Sequence, residues 1–155
     1  MSKEEFVVFT EKYMDTIYRV AYSWTRNSHD ANDVTQDVLI QLYKTPKEFE
    51  SDSHLKNWLI RVTVNQCKML FRPPWRKIED IGEYAEALGF EEESYLDLFQ
   101  AVMELDKKYR VSVLLFYYER YSTAEIASIL KIPEKTVSTR LFRAKAKLKN
   151  YLKEE

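Results

Sequence analysis

Only two glycines occur in 155 residues, Gly82 and Gly89, and neither sits among phosphate-loop residues. Dinucleotide-binding turns and Walker loops need several glycines close together, so nucleotide-fold enzymes are disfavoured. The same scarcity disfavours hairpin-rich β folds. A single cysteine, Cys67, rules out an internal disulfide framework and any multi-cysteine zinc site. Two histidines, His29 and His54, leave little for a catalytic metal, and no metal or cofactor is expected. No apolar run approaches the ~18 residues of a membrane span, so no membrane insertion is expected. The opening Met-Ser-Lys-Glu-Glu is acidic and leads into an amphipathic pattern, so no targeting leader is expected. With 45% hydrophobic and 32% charged residues the chain reads as an intracellular, all-α protein.

Charge of one sign is missing over long stretches. Residues 53–78 hold six bases and no acid, and residues 79–106 hold ten acids and no base. Residues 131–153 then carry eight bases against Glu134 alone. The net charge of −1 conceals this division. Two basic blocks around an acidic one suggest two anion-binding surfaces, although solvated helix faces would give a similar map.

Apolar spacing defines the helices. Phe6, Phe9, Tyr13, Ile17, Val20 and Trp24 form one stripe over 4–25. Asn27 and Ser28 break it, and Asp30 is expected to cap a second helix that ends at Thr45-Pro46. Ala31, Val34, Val38 and Leu42, widened by Leu39 and Tyr43, would face its core. A third helix is expected from about Leu55 to Arg72, capped by Asp52 or Ser53 and stopped by Pro73-Pro74. Leu55, Trp58, Leu59, Val62 and Met69 would face inward, with Cys67 a small buried or half-buried hydrophobe. Asn57, Arg61, Asn65, Lys68 and Arg72 form a second, cationic and amide-bearing stripe. This predicts a module over 1–72, an acidic flexible linker over 73–93 and a second module over 94–155. In the second, helices are expected around 95–103 and 107–120.

Ser122-Thr123-Ala124-Glu125 is a capping-box pattern opening a short helix. Lys131-Ile132 make a turn, and Pro133 suits the first turn of a longer helix. Val137, Leu141, Ala144, Leu148 and Leu152 share one face of it. Lys135, Thr136, Thr139 and Arg143, flanked by Arg140, lead the opposite face. Phe142 fits neither and is expected to pack against a neighbouring helix. This is a helix-turn-helix whose second helix suits the major groove. The basic run through Lys147 and Lys149 favours DNA over an ordinary helical hairpin.

From about Glu4 to Leu152 the chain resembles the extracytoplasmic-function (ECF) sigma factors, the smallest sigma-70-type specificity subunits of bacterial RNA polymerase. Residues 30–38, Asp-Ala-Asn-Asp-Val-Thr-Gln-Asp-Val, resemble the family's D-A-E-D-x-x-Q-[ED]-x signature. Residues 55–65, Leu-Lys-Asn-Trp-Leu-Ile-Arg-Val-Thr-Val-Asn, resemble its F-R-x-W-L-x-R-I-A-x-N segment. Residues 121–130 and 136–144 resemble the region 4 helix-turn-helix. Asn32, Thr35, Met69 and Lys131 depart from the usual pattern, Lys131 standing where the turn usually has glycine.

The resemblance implies a non-enzymatic, cytoplasmic factor that directs promoter-specific initiation; indeed the sequence offers no nucleophile–base pair. It implies docking of Asp33, Gln36, Asp37 and Gln41 on the coiled coil of the largest subunit of bacterial core RNA polymerase. Phe49, Ser53, Asn57, Arg61, Asn65 and Lys68 would meet the melted minus-ten strand. Lys135, Thr136, Thr139, Arg140, Arg143 and Lys147 would bind the double-stranded minus-thirty-five promoter DNA, with region 4 resting on the flap of the other large subunit. An anti-sigma factor is a further implied partner. Trp58 is expected in the core rather than against a base. A free-standing helix-turn-helix regulator is the alternative.

Overall fold

The computed structural model describes residues 1–70 and 93–153, with side chains over 1–70 and 97–150. The expected linker therefore falls almost wholly outside the described residues, as do Arg72 and Pro73-Pro74. The chain divides into two compact units, Met1–Ile78 and Glu79–Glu155. Every described element is helical, as expected for an all-α chain.

The first unit packs three helices: α1 (Lys3–Thr25), α2 (Ser28–Lys44) and α3 (Asp52–Met69). Tyr13, Ile17 and Val20 of α1 meet Val34, Val38 and Leu42 of α2 and Leu55, Leu59 and Ile60 of α3 in a closed core. The α1–α2 corner takes two residues. Arg26 adopts the left-handed conformation at φ 48°, and its N–H donates to the Tyr22 carbonyl. Asn27 returns to extended backbone, and its Oδ1 accepts from the Asp30 N–H at 2.9 Å. Asn27, not Asp30, is thus the cap of α2. Asp30 lies in the first turn and is fully buried. Any short oxygen-bearing side chain can cap, and sequence alone does not say which residue occupies the extended cap position.

Both boundaries of α3 also move, the first for the same reason. Ser51 caps α3, accepting from the His54 N–H, so Asp52 and Ser53 lie in its first turn. The helix stops at Met69, before the prolines, with Leu70 extended. Met69 is 77% exposed instead of inward-facing, and Tyr43 is also exposed. Thr63, Val64 and Cys67 are buried alongside Leu55 and Leu59, while Trp58 and Val62 are only half-buried.

The second unit sets three short helices, α4 (Glu93–Met103), α5 (Lys107–Val113) and α6 (Thr123–Leu130), beside a long one, α7 (Glu134–Lys153). After Val113 the chain widens into a π turn, Leu114–Tyr118, closed by the Glu119 N–H on the Leu114 carbonyl at 3.0 Å. The expected single helix over 107–120 is therefore two conformations. Phe99, Val102 and Met103 pack with Val111, Leu114, Leu115, Ile126, Val137 and Ala144. Burial within this core pushes the Tyr118 hydroxyl up to about 12.

Candidate nucleic-acid and polymerase interfaces

On α2 the residues expected to face polymerase lie together. Asp33, Gln36, Asp37 and Gln41 are all exposed and recur at three- and four-residue steps. A side-chain relay fastens this face to α3. Gln41 Nε2 donates to Gln66 Oε1 at 3.3 Å, and Gln66 Nε2 donates to Asp37 Oδ2 at 3.2 Å. Sequence reasoning passed over Gln66, whose relevance depends on the crossing of two helices. It also missed Ile40, 51% exposed at the centre of the same face. An apolar residue amid four polar ones was the available signal. His29, Asp30 and Asp33 bring donor atoms within 4.8 Å of one another at the start of α2. The partial positive charge of that helix end opposes a cation there.

On α3, Ser53, Arg61, Asn65 and Lys68 are exposed and Asn57 is half-exposed, making one stripe along the helix. The loop leading into it is fastened at several points. The Phe49 ring lies edge-on to His54 and to Trp58, each at 5.4 Å. The Glu50 N–H donates to His54 Nδ1 at 3.1 Å. The Tyr13 hydroxyl donates to the Asp52 carbonyl at 3.3 Å, and Lys12 Nζ binds Asp52 Oδ2. That hydrogen bond holds the Lys12 ammonium above its ordinary pKa. Phe49 also borders a cleft of about 520 Å³ with Phe9, Thr45 and Pro46. The arrangement presents a fixed aromatic edge, a cleft, and a row of amides and cations, the set of groups that stacks and tracks unpaired bases.

In the second unit the capping box forms in full. Ser122 Oγ accepts from the Glu125 N–H at 3.1 Å, and Glu125 Oε1 accepts from the Ser122 N–H at 3.0 Å. Lys131 makes the turn in the left-handed region at φ 58°, ψ 48°. A second bond, Thr123 Oγ1 to Glu134 Oε1 at 2.8 Å, ties the start of α6 to the start of α7.

The core face of α7 is Val137, Leu141 and Ala144. Opposite it lie Lys135, Thr139, Phe142 and Ala146. Phe142 is 77% exposed, so it does not pack against a neighbouring helix. The short α6 leaves that side of α7 uncovered. The expected DNA residues divide accordingly. Lys135 leads the outward face, and Thr139 shares it with its hydroxyl donating to the Lys135 carbonyl at 2.9 Å. Thr136, Arg140 and Arg143 border, with Lys135 and Thr139, a cleft against the start of α5, and Lys147 reaches the ring of Tyr109.

Two family models match the chain in the same order as the two units. Sigma-70 region 2 matches residues 9–77, and Sigma-70, region 4 matches 95–148. The ECF RNA polymerase sigma factor SigM of Mycobacterium tuberculosis is 30% identical, over 88% of this chain and 71% of that protein. The chain belongs to the ECF sigma factors. SigW of Bacillus subtilis is 28% identical over 98% of this chain and 91% of its own length. In fold, the ECF sigma factor is similar to the sigma factor RpoE of Bartonella quintana, solved with the anti-sigma factor NepR. The TM-score is 0.70 at 20% identity, covering 97% of this chain and 98% of that one. CnrH, solved with the cytosolic domain of CnrY, gives 0.68 at 23% identity over 99% and 91%. The α3 stripe and the Asp33–Gln41 face therefore lie in region 2 of this sigma factor, and the helix-turn-helix in region 4. Among the described residues no helix is long and apolar enough to cross a membrane.

Proposed function

We propose that this ECF sigma factor binds bacterial core RNA polymerase in the cytoplasm and directs it to promoters. Asp33, Gln36, Asp37, Ile40 and Gln41 dock on the coiled coil of the largest subunit, and region 4 rests on the flap of the other. Phe49, Ser53, Asn57, Arg61, Asn65 and Lys68 capture the melted minus-ten strand. On α7, Lys135, Thr139 and Arg143 meet base edges of the minus-thirty-five duplex, and Phe142 offers an apolar contact to a thymine methyl. Thr136, Arg140 and Lys147 bind the flanking backbone. The boundaries 1–72, 73–93 and 94–155 serve as the working division into polymerase module, acidic linker and duplex reader.

The observation that carries this reading is the pairing, in one chain, of an exposed amide-and-cation stripe with an uncovered helix-turn-helix face. The first suits single strands and the second suits duplex, and promoter opening requires both. The similar sigma factor solved with the anti-sigma factor NepR supports an anti-sigma factor as an additional partner. In vitro transcription with purified core polymerase tests the proposal. Promoter-specific transcripts that depend on the factor support it. Tight binding to duplex operators without core, and no effect on core, would show instead a free-standing regulator.

A further inference from the structure

The start of α5 was not among the expected DNA residues, yet it faces the recognition helix across a cleft of about 500 Å³. Lys108 and Tyr109 line it from α5, and Thr136, Arg140 and Arg143, together with Lys135 and Thr139, line it from α7. No carboxylate is among the described residues lining it. Tyr109 is buried at 6% exposure, so its ring is a fixed part of the floor. Lys108 Nζ lies 5.1 Å from the centre of that ring, and Lys147 Nζ lies 5.7 Å from it. The negative face of the aromatic ring attracts each ammonium and offsets part of their mutual repulsion. Two lysines thirty-nine positions apart in sequence are thereby gathered round one ring beside two arginines.

We propose that Lys108, held with Lys147 about the Tyr109 ring, joins Arg140 to seat one phosphate of the DNA backbone. This rests on the reading that α7 enters promoter duplex. A helix in the major groove has a phosphate wall along each flank, because the groove is only ~12 Å wide. The flank of α7 that bears Arg140 and Lys147 opens toward α5, so the wall on that side runs past Lys108. A single anion at the cleft relieves the crowding of several cations at once. The seat carries no base information; it adds affinity alike to every sequence, while Lys135 and Phe142 meet the base pairs.

The test uses holoenzyme assembled from full-length factor and core polymerase, with a labelled duplex bearing the promoter. Lys108 is exposed, so Lys108→Gln keeps the fold, checked by an unchanged thermal melt. The variant should bind roughly 5–10-fold more weakly near 0.1 M salt, with a salt slope smaller by about 0.9 and unaltered preference among minus-thirty-five variants. A second arm scans one uncharged methylphosphonate linkage along the flanks of the element. One position should weaken the wild type and leave Lys108→Gln indifferent. If wild-type holoenzyme discriminates promoters but no linkage couples to Lys108, the seat is wrong while the promoter-reading function stands. If the wild type itself shows no promoter preference, the functional reading fails first.

Discussion

The two units of this sigma factor carry their candidate nucleic-acid faces on opposite constructions. Region 2 uses three long helices, α1 to α3, and lays its candidate contacts along α3 from Ser53 to Lys68. Region 4 sets one long helix, α7, on shorter ones with a π turn and left-handed corners at Arg120 and Lys131, and concentrates its candidate contacts at the start of α7. A single strand must be tracked over distance, so a stiff, evenly spaced stripe serves it. A duplex presents its base edges only inside the groove, so one helix must stand clear of its neighbours, which keeps the supporting helices short. The cost falls on region 4, which holds the π turn and two of the three left-handed non-glycine residues among those described.

The strongest way to break the comparison is Val137→Asp. It places an unpaired charge at a fully buried position of the region 4 core and should cost region 4 at least about 3 kcal/mol. Circular dichroism melts should lose the region 4 transition while the region 2 helices persist. Joint loss of both would show that the units do not fold independently.

Next in size is the division of labour on α7. Arg143→Ala should flatten preference among minus-thirty-five variants by about 1–3 kcal/mol in holoenzyme binding. Lys147→Ala should weaken all sequences alike and lower the salt slope by about one contact. Unchanged preference and salt slope in both would remove α7 as the reading head.

Alkaline pH should separate the units as well. Burial pushes Tyr118 up to about 12, above its unfolded value near 10. Stability is intact below pH 10 and declines as pH rises toward 12, because the unfolded chain gives up the proton first. The loss should reach up to about 2 kcal/mol, after allowance for the partial exposure of the ring. Tyr118→Phe should lack this component, and denaturant titrations at pH 9 and 11 measure the difference.

The smallest effect is expected at the turn. Lys131 occupies a left-handed conformation that glycine adopts without penalty. Lys131→Gly should stabilise region 4 by about 0.5–1 kcal/mol, since the added freedom of the unfolded chain offsets part of the gain. Differential scanning calorimetry should then show a rise of a few degrees in its melting temperature.

Much of the architecture was legible along the chain. The stripes of α1 and α3, the Ser122 capping box and the face of Val137, Leu141 and Ala144 depend on residues three or four apart. Their meaning survives without tertiary context. The charge blocks and the region 2 and region 4 motifs were visible for the same reason. Caps were harder: Asn27 and Ser51 displaced Asp30 and Asp52 because several neighbours had suitable oxygens, and the geometry of the preceding corner chose among them.

Other features could be settled only by packing between distant segments. Met69 and Tyr43 carry apolar side chains at plausible core spacing and were expected inward, and Phe142 was expected against a neighbouring helix, yet all three are exposed, Tyr43 with only the Phe6 ring edge-on to it at 5.1 Å. Gln66 gained its place through two helices crossing, and Lys108 met Lys147 only because α5 lies against α7. Periodicity reports which face of a helix is apolar. It does not report how far the neighbouring helix extends over that face, and exposure depends on that reach.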